Sequence, residues 1–439
     1  MTARTDTRTT PHTVAVIGAG YVGLPTAATL AHFGHSVVLA ERDRSKLAAL
    51  RSGRMPIVEA GLHELVADCV AARSLSFTDS ALDAVDGAEF VFLCVPTPQS
   101  ADGSADLSYI EAAAKEIAPH LEPGTVVVNK STVPVGSATM VEAVIGRPDI
   151  SVVSNPEFLR EGTAVTDSLS PDRIVVGADD PQAAAKVGAL FAATGAPLMV
   201  TDATTSETIK YASNAFLATK LSFVNALAGL CEEVGADARD VLLGLGYDKR
   251  IGFEFLRPGP GWGGSCLPKD TRALLHIARG VGYDFSLLAG AIASNDEQLS
   301  RVVSKVVAAC GGSVDGVTVA VWGLTFKANT DDRRDSPSLQ ICHRLTALGA
   351  TVQAFDPTVE AEGDPPDDLL GLDLRADPYE AAAGARAIVV LTEWDEFRWL
   401  DFSRVIAVMD EPCIVDARNL LDPAAVRRMG FRYSGIGRR

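Results

Sequence analysis

The amino-acid sequence predicts an α/β protein: two doubly wound parallel-sheet domains joined by a central α-helical domain. Three observations carry that prediction. The 439 residues fill two or three domains at about 100–200 residues each. Short β-branched runs alternate with Ala-rich stretches up to about residue 200 and again beyond residue 312. Between those regions the β-runs vanish and apolar residues recur at helical spacing.

Residues 1–13, MTARTDTRTTPHT, are polar, lack the apolar core of a signal peptide and read as a short mobile tail. Residues 14–203 read as the first sheet domain, with strands VAVI (14–17), SVVL (36–39), FVFLCV (90–95), TVVV (125–128), SVV (151–153) and RIVV (173–176). Runs apolar on both faces belong to parallel sheets covered by helices on each side. Residues 204–311 read as the helical domain, where Ile209, Ala212, Phe216, Leu217 and Leu221 repeat with the period of a helix. Gly311 and Gly312 punctuate the chain. Residues 312–439 then restart the alternation with VTVAVWG (317–323), TVQAFD (351–356), AIVVL (387–391) and CIVDA (413–417). Asp364, Pro365, Pro366 and Asp367 mark a surface loop, and no short-period repeat is present.

Lys and Arg number 39 against 56 Asp and Glu, a formal charge of −17, which opposes non-specific attraction to nucleic acid or anionic lipid. An anionic ligand therefore needs a local basic pocket, and residues 249–272 hold five basic side chains against two acidic ones. No stretch approaches about 18 uninterrupted apolar residues, so no membrane span is expected. The seven cysteines include no Cys-x-x-Cys pair and the seven histidines form no cluster. That argues for reduced thiols in a cytoplasmic protein and against a bound metal.

Gly18-Ala19-Gly20-Tyr21-Val22-Gly23 follows the first strand and opens a helix, and Glu41 follows the second strand, 18 residues beyond Gly23. Strand, turn, helix and acid stand where a Rossmann-like dinucleotide site needs them. Gly18 permits the tight turn, Gly20 lets backbone approach a pyrophosphate, and Gly23 lets helix and sheet pack closely, with the helix N-terminus facing the phosphates. Glu41 suits a ribose 2′-hydroxyl and repels a 2′-phosphate, favouring NAD; Arg42 and Arg44 beside it keep NADP open.

A second Gly-rich loop, GPGWGGSCLPKD (259–270), sets Cys266 three residues before Lys269 and four before Asp270. A nearby ammonium lowers a thiol pKa, a carboxylate orients it or takes its proton, and glycines let backbone close on a ligand. The other six cysteines read as small buried side chains. Lys210 and Asn214, four apart on a helix, share a face and suit an oxygen that gains negative charge. Thr132 follows one strand, and Glu157 and Glu161 in SNPEFLRE (154–161) follow another, on the ligand side of the sheet, where hydroxyl and carboxylate can hold a water.

Taken with GAGYVGLP, CVPTP, KSTVPVG, NPEFLREG, IKYASNAFLATKLSFVN and GLTFKANTDDRRDSPS in this order, the chain resembles the UDP-glucose/GDP-mannose 6-dehydrogenase family from Val14 to about Leu421. The resemblance implies oxidation of the 6-hydroxymethyl of a nucleotide sugar to a carboxylate with two NAD⁺. It gives Cys266 the role of nucleophile, through a thiohemiacetal and a thioester. Lys210 and Asn214 stabilise the alkoxide-like oxygen, Thr132 and Glu161 place a water, and Asp270 assists Cys266 and hydrolysis. Implied cofactor contacts are Gly18, Gly20, Tyr21, Val22, Gly23, Glu41, Arg42, Pro96, Thr97, Ser131, Thr132, Glu161, Lys269 and Arg334. Implied substrate contacts are Glu157, Phe158, Leu159, Arg160, Lys210, Asn214, Arg250, Phe255, Leu256, Gly263, Cys266, Phe326, Lys327 and Arg418, with Lys220 and Asn225 further along the long helix. Arg250 is implied to reach a neighbouring subunit's substrate, and pairing along Lys210–Val234 implies a homodimer or higher.

The loop WGGSCLPKD suits members acting on UDP-glucose or GDP-mannose and departs from the Gly-Gly-His-Cys-Ile-Pro-Val-Asp of members acting on N-acetylated sugars. UDP-glucose is the expected substrate, giving UDP-glucuronate. dTDP-glucose and GDP-mannose stay open, because base choice rests on residues 359–375, where the signature is weak. Two readings of other classes compete. A 3-hydroxyacid dehydrogenase shares the first domain and the Lys-x-x-x-Asn pair but needs neither Cys266 nor a second α/β domain, and an NAD-sensing binding protein would tolerate loss of the thiol.

Overall fold

The structure, a computed structural model, describes residues 10–100 and 103–438. Of the tail expected at residues 1–13, residues 1–9 lie outside the described residues, and Thr13 already begins the first strand. The chain divides into two compact units, one of residues up to 213 plus 272–280, the other of residues 214–271 plus 281 onward.

The first unit is built on β1 (Thr13–Ile17), β2 (Ser36–Ala40), β3 (Leu75–Thr78), β4 (Phe90–Leu93), β5 (Val126–Asn129), β6 (Ser151–Ser154), β7 (Ile174–Gly177) and β8 (Leu198–Thr201). They form one sheet in the order β3-β2-β1-β4-β5-β6-β7-β8, whose direction of progression reverses between β1 and β4. Such a reversal opens a crevice at the carboxyl ends of the strands, where ligands bind. Val14, Val16, Phe90 and Phe92 feed a core on one face, while Ala15, Ile17, Val91 and Leu93 feed another on the opposite face. Burial on both sides is why these strands read as unbroken apolar runs.

One junction departs from the expected parallel order: β6 meets β7 antiparallel, through Ser154 and Gly177. Asn155 straps it, its Nδ2 donating to the Val175 carbonyl at 2.7 Å. Two strands escaped the sequence pattern. β3 is the mixed run LSFT, and β8 is the outermost strand, with Leu198, Met199 and Val200 all exposed.

In the second unit, helices Ala238–Gly246 and Ser286–Ala309, with the later turns of the long helix Ala203–Val234, supply the helical part. By length and composition the long helix could cross a membrane, but half of its most apolar stretch is buried and it carries the buried polar Glu207, Lys210 and Asn214. A second sheet follows from β9 (Thr318–Trp322), β10 (Thr351–Phe355), β11 (Asp373–Leu374), β12 (Ala387–Val390), β13 (Cys413–Asp416) and β14 (Arg432–Gly435). Its order, β11-β10-β9-β12-β13-β14, repeats that of β1 to β6. The two-residue β11 and the polar RYSG of β14 carry no apolar run, so neither was expected.

The two sheets also share a local device. At the end of β2, Glu41 accepts the Ala19 amide at 3.0 Å; at the end of β10, Asp356 accepts the Leu324 amide at 2.7 Å. A left-handed glycine follows the first strand of each, Gly18 at φ 104° and Gly323 at φ 93°. A Cβ there would lie 2.7 Å from the Cys94 carbonyl oxygen or 2.3 Å from the Thr392 Cβ, so only glycine fits.

Candidate active site

The glycine turn after β1 separates structural from ligand-facing positions. A Cβ on Gly23 would fall 1.9 Å from the Gly18 carbonyl oxygen, so that glycine makes room for the chain itself. Around Gly20 no protein atom lies within 4 Å of such a Cβ, which leaves open space for a pyrophosphate against the helix that begins at Gly23. Tyr21 and Val22 are half-buried within the turn. The Glu41 carboxylate stands beside it, accepting the amides of Ala19 and Asp43 at 3.0 and 2.9 Å. Arg42 is turned onto Glu116, which leaves the acid as the group at the lip of the turn and fits NAD.

The loops after β4 and β5 are tied together. Thr97 Oγ1 donates to the Thr132 carbonyl at 2.9 Å and Ser131 Oγ to the Val95 carbonyl at 2.7 Å, while Pro96 is exposed. Glu207, on the first turns of the long helix, accepts the amides of Gly136 and Ala138 at 2.7 and 2.9 Å and so pins the far end of the Thr132 loop. Sequence reasoning missed it.

Beside this loop lies a buried charged cluster. Lys210 Nζ contacts Glu157 Oε1 at 2.9 Å, Thr132 Oγ1 reaches the same oxygen at 3.5 Å, and the Leu159 amide donates to Oε2 at 2.6 Å. Burial alone would push the Glu157 carboxyl up, but Lys210 and the Leu159 amide outweigh it and hold the group below the usual carboxylate range. The Phe158 ring is flanked by the Arg173 guanidinium at 3.8 Å and the Lys210 ammonium at 5.5 Å. Arg160 is turned onto Asp167 at 2.6 Å, and Glu161 is half-buried in the same loop. Sequence reasoning also missed Lys130, which is buried and donates to Asn155 Oδ1 at 3.0 Å. Its signal was a lysine close behind the apolar run at residues 126–128.

In the second unit Cys266 is half-buried, whereas the other six cysteines are buried. Burial pushes the Cys94 and Cys342 thiols up to about 12. Cys266 directly precedes helix Leu267–Gly280, and its carbonyl accepts the Asp270 amide at 2.9 Å. A helix N-terminus favours an anion there. Asp270 is fully buried between Asn214 Nδ2 and Lys269 Nζ, each at 2.5 Å. The Lys269 ammonium, expected beside the thiol, is thus bonded to Asp270.

The cysteine loop is held by Asn225, expected at the ligand, and by Asn295, Gln298 and Ser222, which the sequence did not single out. Asn295 takes the Trp262 amide at 2.8 Å and returns a bond to the Trp262 carbonyl at 2.9 Å. Gln298 donates to the Gly259 carbonyl at 2.7 Å, and the Trp262 indole to Ser222 at 2.9 Å. Asn225 accepts the Gly259 amide at 2.9 Å. The loop glycines also have a different reason from the expected approach to ligand. A Cβ at Gly263 would lie 2.2 Å from the Asp335 carbonyl oxygen, and one at Gly264 2.9 Å from the Phe326 ring.

Phe255 holds a left-handed φ of 59°, rare for an aromatic residue, and Leu256 beside it is buried. Arg418 Nη2 donates to the Phe326 carbonyl at 2.6 Å, and the Lys327 ammonium lies 5.3 Å from the Phe326 ring. Arg334 is turned to Asp332 at 2.8 Å, exposed Arg250 to Asp248 at 2.6 Å, and Lys220 donates to the Ile251 carbonyl at 2.9 Å.

Three domain descriptions match the chain in succession: the NAD binding domain of the UDP-glucose/GDP-mannose dehydrogenase family at residues 12–194, its central domain at 204–297 and its UDP binding domain at 320–423. The chain belongs to the UDP-glucose/GDP-mannose dehydrogenase family. Among its relatives in this dehydrogenase family, a UDP-glucose 6-dehydrogenase of Rhizobium meliloti (strain 1021) is 48% identical over 97% of this chain and 99% of that one. A solved UDP-glucose dehydrogenase of Pyrobaculum islandicum superposes with a TM-score of 0.88 at 34% identity, covering 100% of both chains. A UDP-D-ManNAc dehydrogenase of Pyrococcus horikoshii gives 0.85 at 28% identity, over 97% of this chain and 99% of that one. Family membership makes the protein an NAD-dependent oxidoreductase, and its UDP binding domain takes a nucleotide sugar.

Proposed function

We propose that this dehydrogenase oxidises C6 of UDP-glucose twice, giving UDP-glucuronate, with Cys266 as the covalent nucleophile. The observation that carries the reading is Cys266 itself: the cysteine that is not buried, at a helix N-terminus, in a loop fixed from both sides. The names of the relatives and the loop WGGSCLPKD support the glucose substrate.

The glycine turn at Gly18, Gly20 and Gly23, with Glu41, would hold NAD⁺, which when bound would supply the hydride acceptor for each oxidation. In the first, the C6 hydroxyl loses its proton to a water placed by Thr132 and Glu161, while the Lys210 ammonium and Asn214 amide stabilise the oxygen as it gains charge. The Cys266 thiolate then adds to the aldehyde carbon, and the oxygen takes a proton to give a thiohemiacetal. Loss of that proton with the second hydride leaves a thioester. Water adds to its carbonyl, the carbon–sulfur bond breaks, and the thiolate departs as the carboxylate forms, with Asp270 taking one of the two protons released and solvent the other.

We place the protein in the cytoplasm as a homodimer or higher. Phe216, Phe223 and Leu230 lie seven residues apart on the long helix and are 69%, 59% and 55% exposed, an apolar stripe suited to a second copy of the chain.

The test is NADH formed per sugar consumed, at saturating NAD⁺, over UDP-glucose, dTDP-glucose, GDP-mannose and UDP-N-acetylglucosamine. Two NADH per sugar with UDP-glucose preferred supports the reading. One NADH per sugar removes the role of Cys266, and preference for another nucleotide replaces the substrate.

A further inference from the structure

Lys130, directly after β5, has a buried side chain whose ammonium donates to a neutral amide, Asn155 Oδ1, at 3.0 Å. Among the described residues no carboxylate forms an ion pair with it. A buried cation without its own anion is costly, so its retention calls for a role beyond packing. Together with Glu157, Asn155, Arg173 and Thr29 it lines a cavity of about 190 Å³ within the first unit. Thr29 Oγ1 is buried there without a hydrogen-bond partner. A hydroxyl so placed requires water, and the cavity has room for several molecules.

We propose that Lys130 is a positioning residue of the dehydrogenase: from the wall of this cavity its ammonium keeps the Glu157 carboxylate ionised, and so keeps Lys210 paired and aimed. The proposal rests on the reading of Lys210 as the group that stabilises the reacting oxygen. Lys130 does not touch Lys210; it acts through the carboxylate between them.

The charges around Lys130 fit that role. Burial pulls its ammonium down to about 8, Cys94 on the β4 side and Glu157 after β6 pull it up, and Lys210 on the long helix pulls it down. Across the cavity stand Arg173 at the start of β7, the Arg160–Asp167 pair and Asp172. For Glu157, burial raises the carboxyl, while Lys210, the Leu159 amide and then Lys130 lower it. Deleting the Lys130 charge therefore raises the Glu157 pKa. At the acid end of the activity range the Glu157–Lys210 pair then protonates and opens sooner.

The experiment compares kcat/KM for UDP-glucose, followed by NADH, between pH 3.5 and 8, which spans the carboxylate range, for wild type, Lys130→Arg and Lys130→Met. The acid limb of Lys130→Met should lie about 0.5–1 pH unit higher, with two NADH per sugar retained, and that of Lys130→Arg within a few tenths of wild type. A residue that only fills space would lower kcat or Tm and leave the limb in place, and that result overturns the proposal. Asn155→Asp gives the ammonium its own anion and should move the limb in the same direction, which serves if Lys130→Met does not fold. A wild type inactive on every nucleotide sugar sinks the dehydrogenase reading itself, whereas an active wild type with an unmoved Lys130→Met and Asn155→Asp limb sinks this inference alone.

Discussion

Glu157 holds the Lys210 ammonium at 2.9 Å, with 3% and 4% of the two side chains exposed. A buried pair of this kind adds little net stability against an apolar pair, yet breaking it strands a charge. Lys210→Ala is expected to lower kcat by about 10²–10³ with a modest change in KM, measured as NADH formation on the folded fraction. An unchanged rate removes Lys210 from the chemistry.

The same pair sets a pH dependence. The folded Glu157 carboxyl titrates below its ordinary value, so its contribution to stability is present above the ordinary carboxylate range and fades as pH falls through that range toward the folded value. Glu157→Gln should cost about 3–5 kcal/mol near pH 7 and less in acid, read from urea unfolding at both pH values. A deficit that grows toward acid would contradict this sign.

Two glycines three residues apart should fail differently. Gly20→Ala meets no protein atom within 4 Å, so the variant is expected to keep the wild-type Tm while losing about tenfold or more in NAD⁺ affinity. Gly23→Ala must displace the Gly18 carbonyl and should unfold at lower temperature whether or not NAD⁺ is present. Calorimetry with and without NAD⁺ separates them.

Native protein should react rapidly at a single thiol with an aromatic disulfide reagent, and at seven once denatured, because six of the cysteines are buried. Cys266→Ser should abolish the fast equivalent and two-NADH turnover while UDP-glucose still binds. Full turnover by that variant would remove the covalent step.

Asn295→Ala removes both bonds to the Trp262 backbone. Each lost bond leaves a polar group at a cost of about 1–3 kcal/mol, enough to loosen residues 259–264. Faster hydrogen exchange in that loop, a higher KM for the sugar and unchanged NAD⁺ affinity are expected; an equal exchange rate would show that the bonds do not hold it.

Phe216→Glu combined with Phe223→Glu places charge in the middle of the exposed stripe. Light scattering should fall to the mass of one 46.1 kDa chain, from twice that or more in wild type. A wild type of single-chain mass would refute the pairing outright.

What the sequence disclosed, and what it hid, follows from the range of each interaction. Strands such as β1 and β4 were legible because both faces are buried, and the glycine turn because steric demands at Gly18 and Gly23 leave no other residue. β8 and β14 were not, since an edge strand needs no apolar alternation. The Lys210 partner could not be read from Lys210 and Asn214 alone, because Glu157 lies 53 residues away and meets it only through the sheet. Asn295 and Gln298 were hidden for a related reason: side chains that mimic backbone pairing leave no spacing rule behind them.

The acid device that recurs after β2 and β10 has a consequence for the division of labour in this chain. With strand order, left-handed glycine and carboxylate all repeated, the second sheet has the frame of a dinucleotide reader, yet its first turn carries Leu324, Thr325, Phe326 and Lys327 where the first has Ala19, Gly20, Tyr21 and Val22. Asp356 accepts amides from both Leu324 and Thr325, at 2.7 and 3.2 Å, so those donors are spent inside the turn and do not face a pyrophosphate. The same strand order thus carries two first turns that differ in what they leave free: open space at Gly20 in one, and in the other amides already taken by Asp356.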